Sequence, residues 1–173
     1  MLAPSSPRKF MVFAIIASGM LIALAALFYQ SLAARAAAPD VTYMNIKGEK
    51  ISTQSLRGKV VLVNFWATTC STCIAEMPQM VSTYNKYHQR GLEFVAVAMS
   101  YDPPNLVLNY AETRQLPFHV ALDLQGQIAQ AFGDVKATPT TFLIDKQGRI
   151  VKRFVGKPSF EQLHKLLEME LAG

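Results

Sequence analysis

The feature that most constrains this chain is a Cys-x-x-Cys motif between a strand and a helix. Cys70 and Cys73 are the only cysteines among its 173 residues. An apolar, β-branched run, 60–63, precedes them, and apolar residues at helical spacing follow. Free N–H groups and the helix dipole favour a thiolate at Cys70, and Cys73 lies one turn later on the same face. The pattern predicts a redox pair in which Cys70 is the nucleophile.

Two other interpretations of the cysteine pair are weaker. A structural zinc site usually has four ligands, and His88, His119 and His164 are scattered without ligand spacing. We therefore expect no bound metal. An inert structural disulfide would close only a very short loop and would constrain the unfolded chain little.

Two segments carry a resemblance to a known family. Segment 63–78, Val-Asn-Phe-Trp-Ala-Thr-Thr-Cys-Ser-Thr-Cys-Ile-Ala-Glu-Met-Pro, resembles the active-site signature of thioredoxin-fold proteins, in particular the membrane-anchored thiol–disulfide reductases of the TlpA/ResA type. Segment 138–145, Thr-Pro-Thr-Thr-Phe-Leu-Ile-Asp, resembles the family's cis-proline loop and the strand after it. The resemblance covers about residues 41–173. It implies an α/β thioredoxin-like fold, with a mixed central sheet flanked by helices, an N-terminal hairpin and an inserted strand and helix.

Hydrophobic periodicity and turn residues predict the elements of this fold. They indicate a hairpin over 41–53, strands over 60–65, 92–99 and 118–122, helices over 71–88, 104–115 and 127–132, an antiparallel pair over 141–145 and 149–155, and a last helix, capped by Ser159, to about residue 171.

The N-terminus predicts a membrane anchor. Arg8 and Lys9 precede twenty predominantly apolar residues, 10–29, which as a helix would span about 30 Å, the thickness of a bilayer core. Basic residues before the span place residues 1–9 in the cytoplasm and the remainder outside it. Residues 30–39 then form a linker, and 40–173 a single domain. The alternative is a signal peptide cleaved near Ala36–Ala38, which would give a soluble periplasmic protein.

The charge distribution argues against nucleic acid as a partner. Three of the seventeen basic residues precede residue 40, whereas all twelve acidic residues lie from Asp40 onward, so the domain carries a net charge of only +2. A nucleic-acid-binding domain would have a clustered basic face.

An exported protein with two cysteines, both in the redox pair, also avoids wrong disulfide pairings.

The resemblance and the helical spacing assign a role to Glu76. It lies three residues after Cys73 on the same face, and a carboxylate there can accept the thiol proton of Cys73. The family has a glutamate of this role at this position. Asn64 stands where thioredoxins usually have a buried acid, and an amide cannot take that proton, so Glu76 is the better candidate.

The resemblance also implies a substrate-binding group. It predicts a cis peptide bond between Thr138 and Pro139, beside the cysteines, with Thr138 backbone groups free to pair with an extended client segment. Trp66 is expected to pack under the site. Tyr101 and Asp102, which follow a predicted strand, are candidates for lining a substrate groove.

These features together predict a membrane-tethered, periplasmic thiol–disulfide oxidoreductase that acts as a reductant and needs no cofactor. The family implies clients such as apocytochrome c or copper-delivery proteins for respiratory oxidases, a role in disulfide repair, and re-reduction by a membrane electron donor of the DsbD type. A disulfide-forming oxidase and a copper-binding module of the same fold are the alternatives. A thiol peroxidase would have Thr at position 67, where this chain has Ala67.

Overall fold

A computed structural model describes residues 7–33 and 35–173. The chain divides into two compact units, which meet in sequence between Ala36 and Ala37. In the first unit, helix α1 spans Pro7–Ala33 and so continues beyond the predicted end at residue 29. Residues 1–6 of the predicted cytoplasmic tail lie outside the described residues.

Among residues 7–33 and 35–173, no helix is both long enough and apolar enough to cross a membrane. The transmembrane helix over 10–29 stays a prediction.

The second unit contains seven strands and four α-helices among the described residues. In chain order they are β1 Thr42–Met44, β2 Lys50–Ser52, β3 Val60–Trp66, α2 Ser71–Tyr87, β4 Leu92–Ala98, α3 Pro104–Thr113, β5 His119–Leu122, α4 Gln127–Ala131, β6 Thr140–Ile144, β7 Ile150–Val155 and α5 Phe160–Ala172. A single 3₁₀ turn, His88–Arg90, follows α2. Every element predicted after residue 40 is present, with ends that differ by a few residues.

Five of these strands form a mixed sheet in the order β5-β4-β3-β6-β7. Strand β3 runs parallel to β4 and antiparallel to β6, and all seven of its residues are buried. Strands β1 and β2 pair as the predicted separate hairpin. The sheet confirms the thioredoxin-like α/β fold. It also brings the carboxyl end of β3 and the amino end of β6 to the same edge, since Phe65 pairs with Thr140.

The side chains of β3 alternate between two hydrophobic cores, one on each face of the sheet. Val60, Leu62 and Trp66 pack with residues of α2, α3 and α5, whereas Val63 and Phe65 pack with residues of α4 and β1. A central strand buried on both faces is continuously apolar, as in parallel sheets generally. Because both faces are filled, the chain that leaves β3 is held firmly as it enters the cysteine turn.

The domain begins within the predicted linker 30–39. Ala37 forms a β-bridge with Arg149, and the Ala38 backbone N–H donates a hydrogen bond to the Gly148 carbonyl oxygen at 2.9 Å. Ala38 is also buried. The end of this segment is therefore attached to the β6–β7 turn rather than free.

Candidate active site at the N-terminus of helix α2

The turn between β3 and α2 places Cys70 at the start of the helix. The Cys70 backbone N–H donates to the Ala67 carbonyl oxygen at 3.2 Å, which closes the turn. Cys70 then occupies the N-cap position in extended conformation (φ −88°, ψ 102°). Its Sγ accepts a hydrogen bond from the Cys73 backbone N–H at 3.2 Å. The sulfur thus takes the place of the oxygen of an ordinary capping residue.

Cys70 and Cys73 form a disulfide, with their Cα atoms 5.2 Å apart. The two cysteines differ in access. Cys73 is fully buried, whereas Cys70 is partly exposed. A client disulfide can therefore reach the Cys70 sulfur but not the Cys73 sulfur. The N–H group that caps Cys70 and the positive end of the α2 dipole both favour a thiolate there after reduction.

Glu76 lies one turn beyond Cys73, in the interior of the domain. Its side chain is 1% exposed. Oε1 accepts a hydrogen bond from Asn64 Nδ2 at 3.3 Å, and Oε2 has no hydrogen-bond partner among the described residues. Asn64 Nδ2 also donates to Thr141 Oγ1 at 2.9 Å, which fixes the amide between β3 and β6.

Burial changes the acidity of this carboxyl group. Removal from water raises the pKa of Glu76 to about 7, and this effect outweighs the hydrogen bond from Asn64 and the positive charge of Lys157, which both lower it. A carboxyl group with a pKa near neutrality can both accept and release a proton under ordinary conditions. The unpartnered Oε2 leaves one acceptor atom free for that exchange.

The predicted cis-proline loop lies at the same edge of the sheet as the cysteine turn. The Thr138–Pro139 peptide bond is cis, as the resemblance implies. Pro139 is buried and its carbonyl oxygen accepts from the Gly156 backbone N–H at 2.8 Å. Thr138 is partly exposed, and its Oγ1 lies 3.3 Å from the hydroxyl oxygen of Tyr101. Of Thr138 and Pro139, only Thr138 is accessible at the surface.

Trp66 has no exposed surface. Its ring packs against Tyr110, with 5.3 Å between the ring centroids, and its Nε1 has no hydrogen-bond partner among the described residues. In this oxidised state the side chain offers a client nothing to contact directly. Its predicted part in substrate binding is therefore limited to packing beneath the cysteine turn.

Tyr101 and Asp102 occupy different environments, although both were predicted to line a groove. Tyr101 is 57% exposed beside Thr138, whereas Asp102 is buried. The Asp102 carboxylate accepts two hydrogen bonds from Thr68, two residues before Cys70. The sequence assigned no role to Thr68. The only available signal was an acidic residue at the carboxyl end of a strand, a position that often carries functional groups.

This chain is similar to known thiol–disulfide oxidoreductases in sequence and in fold. The family model described as Redoxin matches residues 33–167. A thiol-disulfide oxidoreductase ResA from Bacillus thuringiensis subsp. konkukian is 37% identical over 132 residues, which cover 76% of this chain and 75% of that protein. The ResA of Bacillus subtilis is 32% identical, covering 81% and 77%. The crystal structure of a thiol:disulfide interchange protein from Chlorobium tepidum superposes with a TM-score of 0.72, 30% identity, and coverage of 79% and 97%.

Proposed function

Because this chain belongs to the Redoxin family and, within it, to the ResA-type thiol–disulfide oxidoreductases, we propose that it reduces disulfides in exported client proteins. It is a thiol–disulfide oxidoreductase whose redox pair is Cys70 and Cys73. The observation that carries the proposal is the unequal exposure of the two sulfurs at the start of α2. The Cys70 sulfur can meet a client disulfide, whereas the buried Cys73 sulfur can react only after Cys70 has done so.

The reaction has two exchange steps. In the first, the Cys70 thiolate attacks one sulfur of the client disulfide and forms a mixed disulfide, while the second client sulfur leaves as a thiolate. In the second, the Cys73 thiol gives its proton to Glu76, and the new thiolate attacks the Cys70 sulfur. The client leaves with both sulfurs reduced, and the Cys70–Cys73 disulfide is restored. Two electrons pass from the protein to the client.

Glu76 is the proton acceptor that best fits the second step. Cys73 is fully buried, so its proton cannot pass directly to bulk water. The Glu76 carboxylate is buried on the same helix, and its pKa of about 7 lets it be ionised in a large fraction of molecules at neutral pH. Its free Oε2 can accept the proton without loss of the Asn64 hydrogen bond.

The direction of reaction is proposed from the charge near the pair. An ionised Glu76 one turn from Cys73 disfavours a second negative charge on that sulfur, since like charges repel in a low-dielectric interior. The reduced pair then gains no stabilisation from ionisation of Cys73, which keeps the reduction potential low and favours a reductant. The alternative is a disulfide-forming oxidase. Its dithiol state would have to be stabilised relative to the disulfide.

The location and partners are proposed from the sequence and the resemblance. Arg8 and Lys9 before the apolar run 10–29 support an anchor in a bacterial inner membrane, with the catalytic domain in the periplasm. Clients of the kind proposed include apocytochrome c and copper-delivery proteins for respiratory oxidases. A membrane donor of the DsbD type would then re-reduce the pair. Proteolysis of spheroplasts tests the topology, because the proposed domain is accessible from outside.

A trapping experiment tests the proposed reaction. In the full-length chain, Cys73→Ser removes the resolving thiol, so the Cys70–client mixed disulfide should accumulate in a periplasmic extract. Non-reducing gels should show bands that dithiothreitol releases. The double variant Cys70→Ser, Cys73→Ser is the control and should trap nothing. If the single variant captures no more protein than the double variant, the proposed attack by Cys70 on client disulfides is wrong.

A further inference from the structure

The loop after β4 accepts two hydrogen bonds from the cysteine turn. Asp102, in this loop, is 3% exposed. Its Oδ2 accepts a hydrogen bond from the Thr68 backbone N–H at 2.6 Å, and its Oδ1 accepts one from Thr68 Oγ1 at 2.5 Å. Both carboxylate oxygens are therefore committed to a single residue, two positions before Cys70.

A buried carboxylate is stable only where hydrogen-bond donors compensate for its removal from water. Here both donors belong to Thr68, so the position of Thr68 is tied to that of Asp102. Asp102 is itself attached to the sheet. Its backbone N–H donates to the Met99 carbonyl oxygen at 2.9 Å, and the Met99 N–H donates to the Trp66 carbonyl oxygen at 3.0 Å. The backbone that carries the carboxylate is thus attached by hydrogen bonds to the ends of β3 and β4.

The same loop contacts the other side of the site. Tyr101, next to Asp102, places its hydroxyl oxygen 3.3 Å from Thr138 Oγ1, at the cis-proline loop. Adjacent residues of one loop therefore touch the segment that carries the nucleophile and the segment that faces the client. Of the two contacts, that of Asp102 is buried and uses both acceptor oxygens, so it provides the stronger restraint.

We propose that Asp102 is a positioning residue for Cys70. Through its two hydrogen bonds to Thr68, it fixes the turn from Ala67 to Cys70 and so holds the Cys70 sulfur over the N–H of Cys73. A turn free to shift would move the sulfur away from that N–H and from the axis of α2. The inference rests on the proposed role of Cys70 as the attacking thiol and adds the residue that orients it.

Alkylation of Cys70 by iodoacetamide measures this orientation directly. The full-length chain carrying Cys73→Ser presents Cys70 as its only thiol, and the rate of alkylation against pH reports the pKa of that thiol. Thr68→Val removes the hydroxyl donor at nearly constant volume. We expect it to slow alkylation about fivefold below the thiol pKa and to move the midpoint of the profile to higher pH, because capping of the sulfur is weakened.

Two matched variants accompany it. Thr68→Ser keeps the hydroxyl and should restore the rate. Thr69→Val makes the same change at the neighbouring exposed residue, which has no contact with Asp102 among the described hydrogen bonds, and should leave the profile unchanged. Asp102→Asn should shift the profile in the same direction as Thr68→Val, and the two substitutions together should do little more than either alone.

The direction in which the substitutions move the pKa of Cys70 distinguishes a positioning role of Asp102 from a direct effect of its charge. If Asp102 acted only through its negative charge, Asp102→Asn would lower the pKa of Cys70 and Thr68→Val would have no effect. That pattern, or equal profiles for Thr68→Val and Thr68→Ser, overturns the proposal. If Asp102→Asn does not fold, the comparison of Thr68→Val with Thr68→Ser decides alone. Alkylation requires neither client nor electron donor, so this result is independent of whether the protein proves to be a reductase.

Discussion

Replacement of Glu76 by Gln tests the central electrostatic feature of the site. Glutamine has nearly the same shape, and its Oε1 can still accept the hydrogen bond from Asn64 that Glu76 accepts at 3.3 Å. What it lacks is the ability to ionise. The substitution should therefore leave the packing of α2 intact, remove the pH dependence that Glu76 causes, and remove the proposed proton acceptor for Cys73.

The effect on stability follows from the pKa. In the folded, oxidised protein the pKa of Glu76 is raised from its ordinary 4.5 to about 7. The folded state therefore binds more protons than the unfolded state between these values, and its free energy of unfolding falls as pH rises through them. At about 1.4 kcal/mol for each unit of difference between the two pKa values, the loss approaches about 3 kcal/mol by pH 8. Glu76→Gln should abolish this loss.

Urea denaturation of the oxidised full-length chain at a series of pH values measures the effect. The unsubstituted protein and the Glu76→Gln variant should be similarly stable near about pH 4. Near about pH 8 the variant should be more stable by about 3 kcal/mol. Glu112→Gln, at an exposed glutamate of α3, should follow the unsubstituted protein throughout. Parallel stability curves for Glu76→Gln and the unsubstituted protein would show that burial does not raise the pKa of Glu76.

The same variant should be defective in catalysis. Loss of a positioned general base typically slows proton transfer by a factor of about 100 or more. We therefore expect the mixed disulfide between Cys70 and a client to be resolved by Cys73 about 100-fold more slowly, in a single-turnover assay. An unchanged rate of resolution would mean that the Cys73 proton leaves by another route.

Three further substitutions, the last with a matched control, have defined outcomes. Asn64→Asp removes an amide donor and adds a second acid beside Glu76, so NMR titration should show a still higher pKa for Glu76, and the free energy of unfolding should fall by about 1–3 kcal/mol at neutral pH. Ser159→Ala removes the side-chain cap of α5 and should cost about 1 kcal/mol by urea denaturation; no change would show that the cap is dispensable. Leu143→Ala should cost about 2–5 kcal/mol because Leu143 is fully buried, whereas Leu124→Ala, at a residue 64% exposed, should change stability by no more than about 0.5 kcal/mol.

The local parts of the site could be predicted from the sequence because they depend on neighbouring residues. A run of apolar, β-branched residues forms β3, and a helical pattern starts directly after Cys70. Once those two elements are assigned, geometry places Cys73 one turn from Cys70 and Glu76 one turn further on. The two cysteines and the glutamate are therefore neighbours whatever the rest of the chain does.

The contacts that tune these residues could not be predicted, because they join segments that are distant in sequence. Asn64 meets Thr141 across 77 positions, through the register of β3 and β6. Asp102 meets Thr68 across 34 positions, through the loop after β4. Hydrophobic periodicity predicts where each strand lies in the sequence. It does not predict which side chains of other segments each residue contacts. Burial of Glu76, and hence its raised pKa, likewise depends on how α2 packs against the sheet.

The reduction potential of the Cys70–Cys73 pair tests the proposed direction of reaction most directly. The full-length chain is equilibrated with mixtures of reduced and oxidised dithiothreitol or glutathione, and the fraction of dithiol is measured. A reductant that needs a dedicated electron donor should have a midpoint near or below the value of about −270 mV found for thioredoxin. A midpoint near about −120 mV, the value of a strong periplasmic oxidant, would contradict the account and identify a protein that makes disulfides.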